Sequence, residues 1–143
     1  MSLEANKNVV SRFNMDFIST GNRAAFEELL SSEFVDHNAI PGFPPGAEGA
    51  WQLLNGMYRS AFPDLVVEIH DQVAEGDQVA TRKTFHGTHK GSLMGIPPTG
   101  KRVQIGVIDI VRVANGQIVE HWNVVDTLGL LQQVGAVPAP QAA

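Results

Sequence analysis

The chain has no cysteine. Disulfides are therefore excluded, and so are thiolate nucleophiles and thiolate metal ligands. Basic residues are scarce: ten Lys and Arg stand against fifteen Asp and Glu, a net charge of −5. No Lys/Arg cluster offsets that balance, so a nucleic-acid partner is not expected. No apolar run approaches the roughly 20 residues of a membrane-spanning helix, so no membrane partner is expected either. The N-terminus lacks the basic-then-apolar pattern of a secretory signal, which makes a cytoplasmic location the default expectation. Internal repeats are absent, and the only low-complexity stretch is the C-terminal tail.

What is present fits one globular domain over 1–143, with 136–143 as a loose tail. The chain is 143 residues long, 43% hydrophobic and 17% charged, enough for a single sizeable core. Apolar residues at helical spacing (Val9, Phe13, Phe17) predict a helix over 4–19. Thr20-Gly21-Asn22 stops it and caps a second helix over 23–30, with Phe26, Leu29 and Leu30 inward. A short strand is expected at 33–37, then a Pro/Gly loop over 38–46. A third helix over 48–62 carries Trp51, Leu54, Met57 and Tyr58 on its inner side. Alternating patterns predict strands over 65–74 and 78–89, separated by Glu75-Gly76-Asp77. An irregular loop over 90–100 precedes a hairpin, and 127–134 closes the domain with a helical turn capped by Asp126.

The hairpin is the densest signal. Val103 to Ala114 is β-branched and almost wholly apolar, and Asn115-Gly116 suits both positions of a type I′ turn. The returning strand, 117–125, carries Glu120, His121, Trp122 and Asn123 in a row. A two-residue turn sets Ala114 opposite Gln117, His121 opposite Ile110, Asn123 opposite Ile108 and Trp122 opposite Asp109. Alternation puts His121, Asn123 and Val125 on one face, and Glu120, Trp122 and Val124 on the other. That register turns Asp109 away from His121, and a bulge would reverse it. Polar groups on a central hairpin must be paired or line a cavity.

Helices first and strands afterwards make an α+β domain: a cone-shaped, curved antiparallel sheet wrapped around the N-terminal helices. Gly87, Gly91 and Gly106 fit the bends of such a curl. Its open end suits a small hydrophobic molecule. Both sheet faces carry apolar bulk and the helices can cover only one. A homodimer through the sheet is therefore expected, with Val107, Val111, Ile118 and Val124 as its apolar contacts.

The stretches GTHKGSLMGIPPTGKRV (87–103) and VANGQIVEHWNVVDTLGLLQQVG (113–135) resemble the SnoaL-like proteins, also known as polyketide or ester cyclases. AFPDL (61–65) and AEGDQVATR (74–82) fit the same pattern, and the resemblance runs from Asn6 to Gly135. It implies the cystatin-like α+β barrel, shared with nuclear transport factor 2, scytalone dehydratase, ketosteroid isomerase and limonene-epoxide hydrolase. Dimerisation through the sheet is usual in that family. It also implies ring closure of a polyketide methyl ester by intramolecular aldol condensation, with no cofactor and no metal.

The family's acid/base aspartate follows a His-Trp pair. Here that run is His121-Trp122-Asn123, and an amide has no ionisable group for general-base work. His121 matches the family histidine, and His37 corresponds to a second pocket histidine. The epoxide hydrolases' Arg-x-Asp and further aspartate align with Arg82, Thr84 and Asn123. Both acids are missing, which argues against epoxide hydrolysis by that route. The catalytic candidates are thus His121, Asn123, Asp109 and Arg82. His121 or Asp109 would be the base, and Asn123 or Arg82 the donor to the enolate oxygen. His37, Trp51, Phe17, Met57, Thr84 and His86 are candidate substrate contacts, with Trp51, Met57 and Phe17 weighing more towards core. Bland readings stand beside these: a satisfied surface histidine for His121, a backbone-satisfying amide for Asn123, an ion-pair partner for Arg82. His86 and His89 lie three apart without a neighbouring acid, which argues against a metal site. The alternative function is a non-catalytic ligand-binding or interaction domain on the same fold.

Overall fold

The protein is described by a computed structural model covering residues 2–139, so the last four residues of the expected tail lie outside the described residues. Helix α1 (Leu3–Arg12) starts where Ser2 accepts from the Ala5 amide and continues into a π-helical segment, Phe13–Ile18. The Asn22 side chain accepts from the amides of Ala24 and Ala25 and starts α2 (Arg23–Leu29), satisfying two donors that the first turn leaves orphaned. Strand β1 (Leu30–Asp36) follows. The third helical stretch is composite: α3 (Ala47–Trp51), a second π-helical segment (Gln52–Tyr58) and α4 (Arg59–Ala61). Strands β2 (Val66–Glu75), β3 (Gln78–Thr88), β4 (Arg102–Ala114) and β5 (Gln117–Val125) then form a meander. It ends in α5 (Thr127–Gln133), where Asp126 accepts from the Gly129 amide as its sequence position suggests.

The five strands lie in the order β1-β5-β4-β3-β2, so β1 and β2 are free edges and the curved sheet does not close. The expectation of an all-antiparallel sheet needs one correction, because β1 runs parallel to β5. Hydrophobic patterning reports which face a residue occupies and carries no information on strand direction at an edge.

One face of the sheet is apolar and covered by helices. On β4, Val103, Ile105, Val107, Val111 and Val113 are all buried, and so is Asp109 in the same alternation. Phe13, Phe17, Phe26 and Trp51 form an aromatic cluster above them, with ring centroids 4.8 Å apart for Phe17–Phe26 and 5.7 Å for the stacked Phe17–Trp51 pair. The other face leaves Ile108, Ile110 and Val124 exposed. Of the expected dimer contacts only Val124 lies on that outer face, because Val107, Val111 and Ile118 are buried core residues. Among the described residues, no helix is long and apolar enough to cross a membrane.

The hairpin turn is as expected, with Asn115 at φ 52 and Gly116 at φ 74. Two of the three bend glycines are demanded by close approach. A Cβ at Gly87 would sit 2.6 Å from Phe62 Cβ, and one at Gly91 only 1.9 Å from the Ser60 carbonyl oxygen. At Gly106 the nearest atom is 3.9 Å away, so space does not require glycine there. Gly91→Ala forces backbone to move, since a carbonyl oxygen cannot swing aside as a side chain can. It is expected to cost about 1–3 kcal/mol, the range for overpacking. Urea unfolding should show a lower midpoint at unchanged slope, and an unchanged midpoint would contradict the packing described.

Candidate active site

A bulge in the hairpin decides what faces inward. Ala114 pairs with Gln117 and Val113 with Ile118, as the two-residue turn demands. The register then shifts, leaving Val119 as the extra residue, and Arg112 pairs with Glu120, Val111 with His121, Ile110 with Trp122 and Asp109 with Asn123. The simple register is thereby corrected: Asp109 faces Asn123 across the strands and shares the inner face with His121. The shift has a physical cause. Strict alternation would have put Ile118 on the face opposite His121, whereas the bulge buries Ile118 and turns His121 and Asn123 inward together.

These residues line a cavity of about 300 Å³ between sheet and helices. Its walls include Val10, Phe13, Ile18, Phe34, Leu54 and Phe85, and its polar groups are Asn14, Asn38, Tyr58, Lys83, Asp109, His121, Asn123 and Thr127. Both π-helical segments contribute to the wall, through Phe13, Asn14 and Ile18 on one and Leu53, Leu54 and Tyr58 on the other.

Several of these polar groups are linked to one another and to Asp36. The Lys83 ammonium lies 2.8 Å from Asp109 Oδ2, and the two side chains are only 5% and 4% exposed. The same ammonium donates to Asn14 Oδ1 at 2.7 Å, and Asn14 Nδ2 donates to the Val10 carbonyl at 2.9 Å. His121 reaches Asp36 Oδ1 through Nδ1 at 3.1 Å, and its Nε2 lies 3.7 Å from Asp109 Oδ2, too far for a hydrogen bond. Asp36 also accepts from the Asn38 amide at 2.9 Å, while Asn38 Oδ1 accepts from the Asn123 amide at 2.8 Å. Asp109 Oδ1 is buried with no hydrogen-bond partner.

The electrostatics assign protonation states. Burial alone would raise Asp109, but the Lys83 charge and His121 outweigh it and hold the carboxyl down from 3.8 to about 2. Burial would lower His121, yet the neighbouring Asp109 and Asp36 carboxylates, the latter hydrogen-bonded to it, raise it above its ordinary 6.5. Asp36 is held low, because His121 and the Asn38 amide together outweigh its partial burial. The two carboxylates thus face Lys83 and an imidazole whose protonated form they favour. That shift makes His121 the candidate proton donor of the pair.

The other sequence candidates lie elsewhere. Arg82, Thr84 and His86 alternate outward on β3, while Thr81, Lys83 and Phe85 are buried. Arg82 forms an exposed pair with Asp71 at 3.0 Å, Thr84 Oγ1 lies 2.7 Å from His70 Nε2, and His86 meets Glu68 at 2.9 Å. His37 stands outside the cavity, stacked on Trp122 with centroids 4.7 Å apart and 3.1 Å from Glu120. Phe17 and Trp51 belong to the aromatic core, and Met57 packs against it. Among the described residues, no group of three His, Asp or Glu side chains is placed to hold a metal.

Sequence reasoning missed Asp36, Asn38, Lys83, Asn14 and Tyr58 as site residues. Lys83 had a usable signal, since it falls between Thr81 and Phe85 on the inward parity of β3. Asp36 had none, because its role depends on β1 lying beside β5.

A curved, unclosed sheet under helices, with a carboxylate and an imidazole in the enclosed cavity, is the nuclear transport factor 2-like α+β fold. Residues 8–134 match the family described as SnoaL-like polyketide cyclase, and the chain belongs to that family. It is 34% identical over 126 residues to the aklanonic acid methyl ester cyclase DauD of Streptomyces sp. (strain C5), covering 86% of this chain and 78% of that one. It is 27% identical over 129 residues to the nogalonic acid methyl ester cyclase of Streptomyces nogalater, covering 89% and 92%. Among solved structures, TsrD from Streptomyces laurentii superposes with a TM-score of 0.85 at 30% identity, covering 96% of this chain and 99% of that one.

The two shifts act on stability in opposite pH ranges. A raised His121 stabilises the fold fully below 6.5, and that contribution is lost as pH rises through its folded-state value. A lowered Asp109 stabilises the fold above 3.8, and that contribution is lost as pH falls towards about 2. In an NMR titration His121 should titrate above 6.5, and Asp109→Asn should move its midpoint down. A wild-type midpoint at or below 6.5 contradicts this network.

Proposed function

We propose that the chain is a cofactor-free cyclase that closes a carbon ring in a small polyketide ester by intramolecular aldol addition. The observation that carries the reading is the buried Asp109 carboxylate, 3.7 Å from the His121 imidazole at the cavity wall. Asp109 removes a proton from the carbon next to the ester or ketone carbonyl, giving an enolate. The enolate carbon attacks a second carbonyl carbon of the same molecule, forming the new C–C bond. His121 Nε2–H gives its proton to the carbonyl oxygen that becomes the hydroxyl. Asp109 is then protonated and His121 neutral. Transfer of that proton from Asp109 to His121 restores both groups, and no atom is gained or lost. The Asn123 side-chain amide, unbonded among the described residues, donates to the enolate oxygen.

This division answers the difficulty that Asn123 poses. The amide cannot be a base, but its cross-strand partner is Asp109, so a carboxylate reaches the same part of the cavity from β4. The size and lining of the cavity suit a compact, largely apolar carbonyl compound. The Asn123 amide is also the observation that favours a second reading, a domain that binds such a ligand without turning it over.

Turnover of a panel of polyketide methyl esters separates the two. If Asn123 is the oxyanion donor, Asn123→Ala should lower turnover by on the order of 10²–10³. Asn123→Asp should also be slower, because it sets a negative charge where the enolate charge develops. If wild type is inert and Asn123→Asp gains activity, the chain is a ligand binder that has lost the reaction.

The outer face of the sheet supports a homodimer. Ile108, Ile110 and Val124 are 53%, 41% and 76% exposed there, on adjacent strands. Light scattering at micromolar concentration should give the mass of two chains, and Ile108→Lys should halve it. A single-chain mass for wild type would refute the dimer.

A further inference from the structure

We propose that Lys83, steadied by Asn14, is the positioning residue that makes Asp109 a usable base. It pins one carboxylate oxygen and leaves the other free. The inference rests on the reading of Asp109 as the base, and it names two residues that sequence reasoning did not single out.

The geometry is specific. Lys83 Nζ is bonded on one side to Asp109 Oδ2 at 2.8 Å and on the other to Asn14 Oδ1 at 2.7 Å. Asn14 is itself fixed by its bond to the Val10 carbonyl and is only 1% exposed. The ammonium is thus clamped between the helical layer and the sheet, and Asp109 Oδ2 is clamped with it. Asp109 Oδ1 has no partner. A buried acceptor without a donor is costly, and because Asp109 lines the cavity a ligand seated there is the group that would supply the missing hydrogen. The same contact keeps the carboxyl ionised. A carboxylate this deep would otherwise favour its neutral form, which accepts no proton.

Lys83 lines the cavity, so a different chemistry has to be separated from this one. A buried lysine can attack a carbonyl and form an imine. That requires a free nitrogen able to reach the substrate, whereas here Nζ is engaged by a carboxylate oxygen and an amide oxygen. The assignment is therefore positioning and not nucleophilic.

The test uses the whole 143-residue chain, labelled with ¹³C at aspartate carboxyl carbons, and a polyketide methyl ester that wild type turns over. Lys83→Met should move the Asp109 carboxyl titration upward by about one to three pH units, the size expected from losing an adjacent opposite charge. The acid limb of kcat/KM should move up with it. Lys83→Arg keeps the charge and should leave the acid limb in place, even with lower kcat. Asn14→Ala should shift the titration in the same direction by less, and it carries the test if Lys83→Met fails to fold. An unmoved Asp109 titration in the folded variants would overturn the proposal. So would borohydride trapping of substrate on Lys83. Failure of the underlying reading looks different: Asp109→Asn would turn over like wild type, while the carboxyl titrations still respond to Lys83.

Discussion

A carboxylate buried in the centre of a sheet has to be compensated, and most of the polar architecture here follows from that one requirement. Asp109 sits in the apolar run Val107–Val111 with 4% of its surface exposed. Removing it from water costs several kcal/mol unless opposite charge and hydrogen bonds are supplied. Lys83 supplies the charge from β3, and Asn14 fixes that lysine from the helical layer. His121 supplies a second cation from β5, and Asp36 orients it from β1. A single carboxylate therefore recruits partners from both neighbouring strands and from the helices, with the edge strand β1 brought in through His121.

The same charges decide what the site can do. Mutual stabilisation favours the anionic form of Asp109 and the cationic form of His121. A carboxylate and an imidazole stand 3.7 Å apart, each favouring the charged form of the other. That suits a reaction in which one proton leaves carbon and another arrives at oxygen. A carboxylate held near 2 is a weak base, so it is matched to a hydrogen already acidified by an adjacent carbonyl. On the proposed reading, the Asn123 amide would stabilise the resulting enolate, and activated methylene compounds would be preferred over unactivated ones.

Much of this was legible in the sequence, and the parts that were not have definite causes. Helix and strand positions followed from periodicity and caps, because Asn22 and Asp126 each do the local work their side chains allow. That His121 and Asn123 share a face followed from alternation, and the bulge decides that this face is the inner one. Asp109 was placed on the wrong face because the bulge at Val119 obeys a tertiary demand, the burial of Ile118 beside His121. Arg82 was over-read because a family alignment cannot show that its parity on β3 points outward, towards Asp71. Asp36 was invisible, since its role depends on β1 pairing in parallel with β5. The π-helical segments were read as α-helix, because both share the same apolar spacing over a few residues.

The central claim is that Asp109 takes the proton from carbon while His121 serves only the oxygen. It is tested most directly by hydrogen exchange in a substrate analogue that keeps the acidic methylene and lacks the second carbonyl. Such a molecule can be enolised but cannot close a ring. In D₂O the wild-type protein should exchange the methylene hydrogens, Asp109→Asn should not, and His121→Gln should retain measurable exchange. Exchange by Asp109→Asn at the wild-type rate would contradict the account.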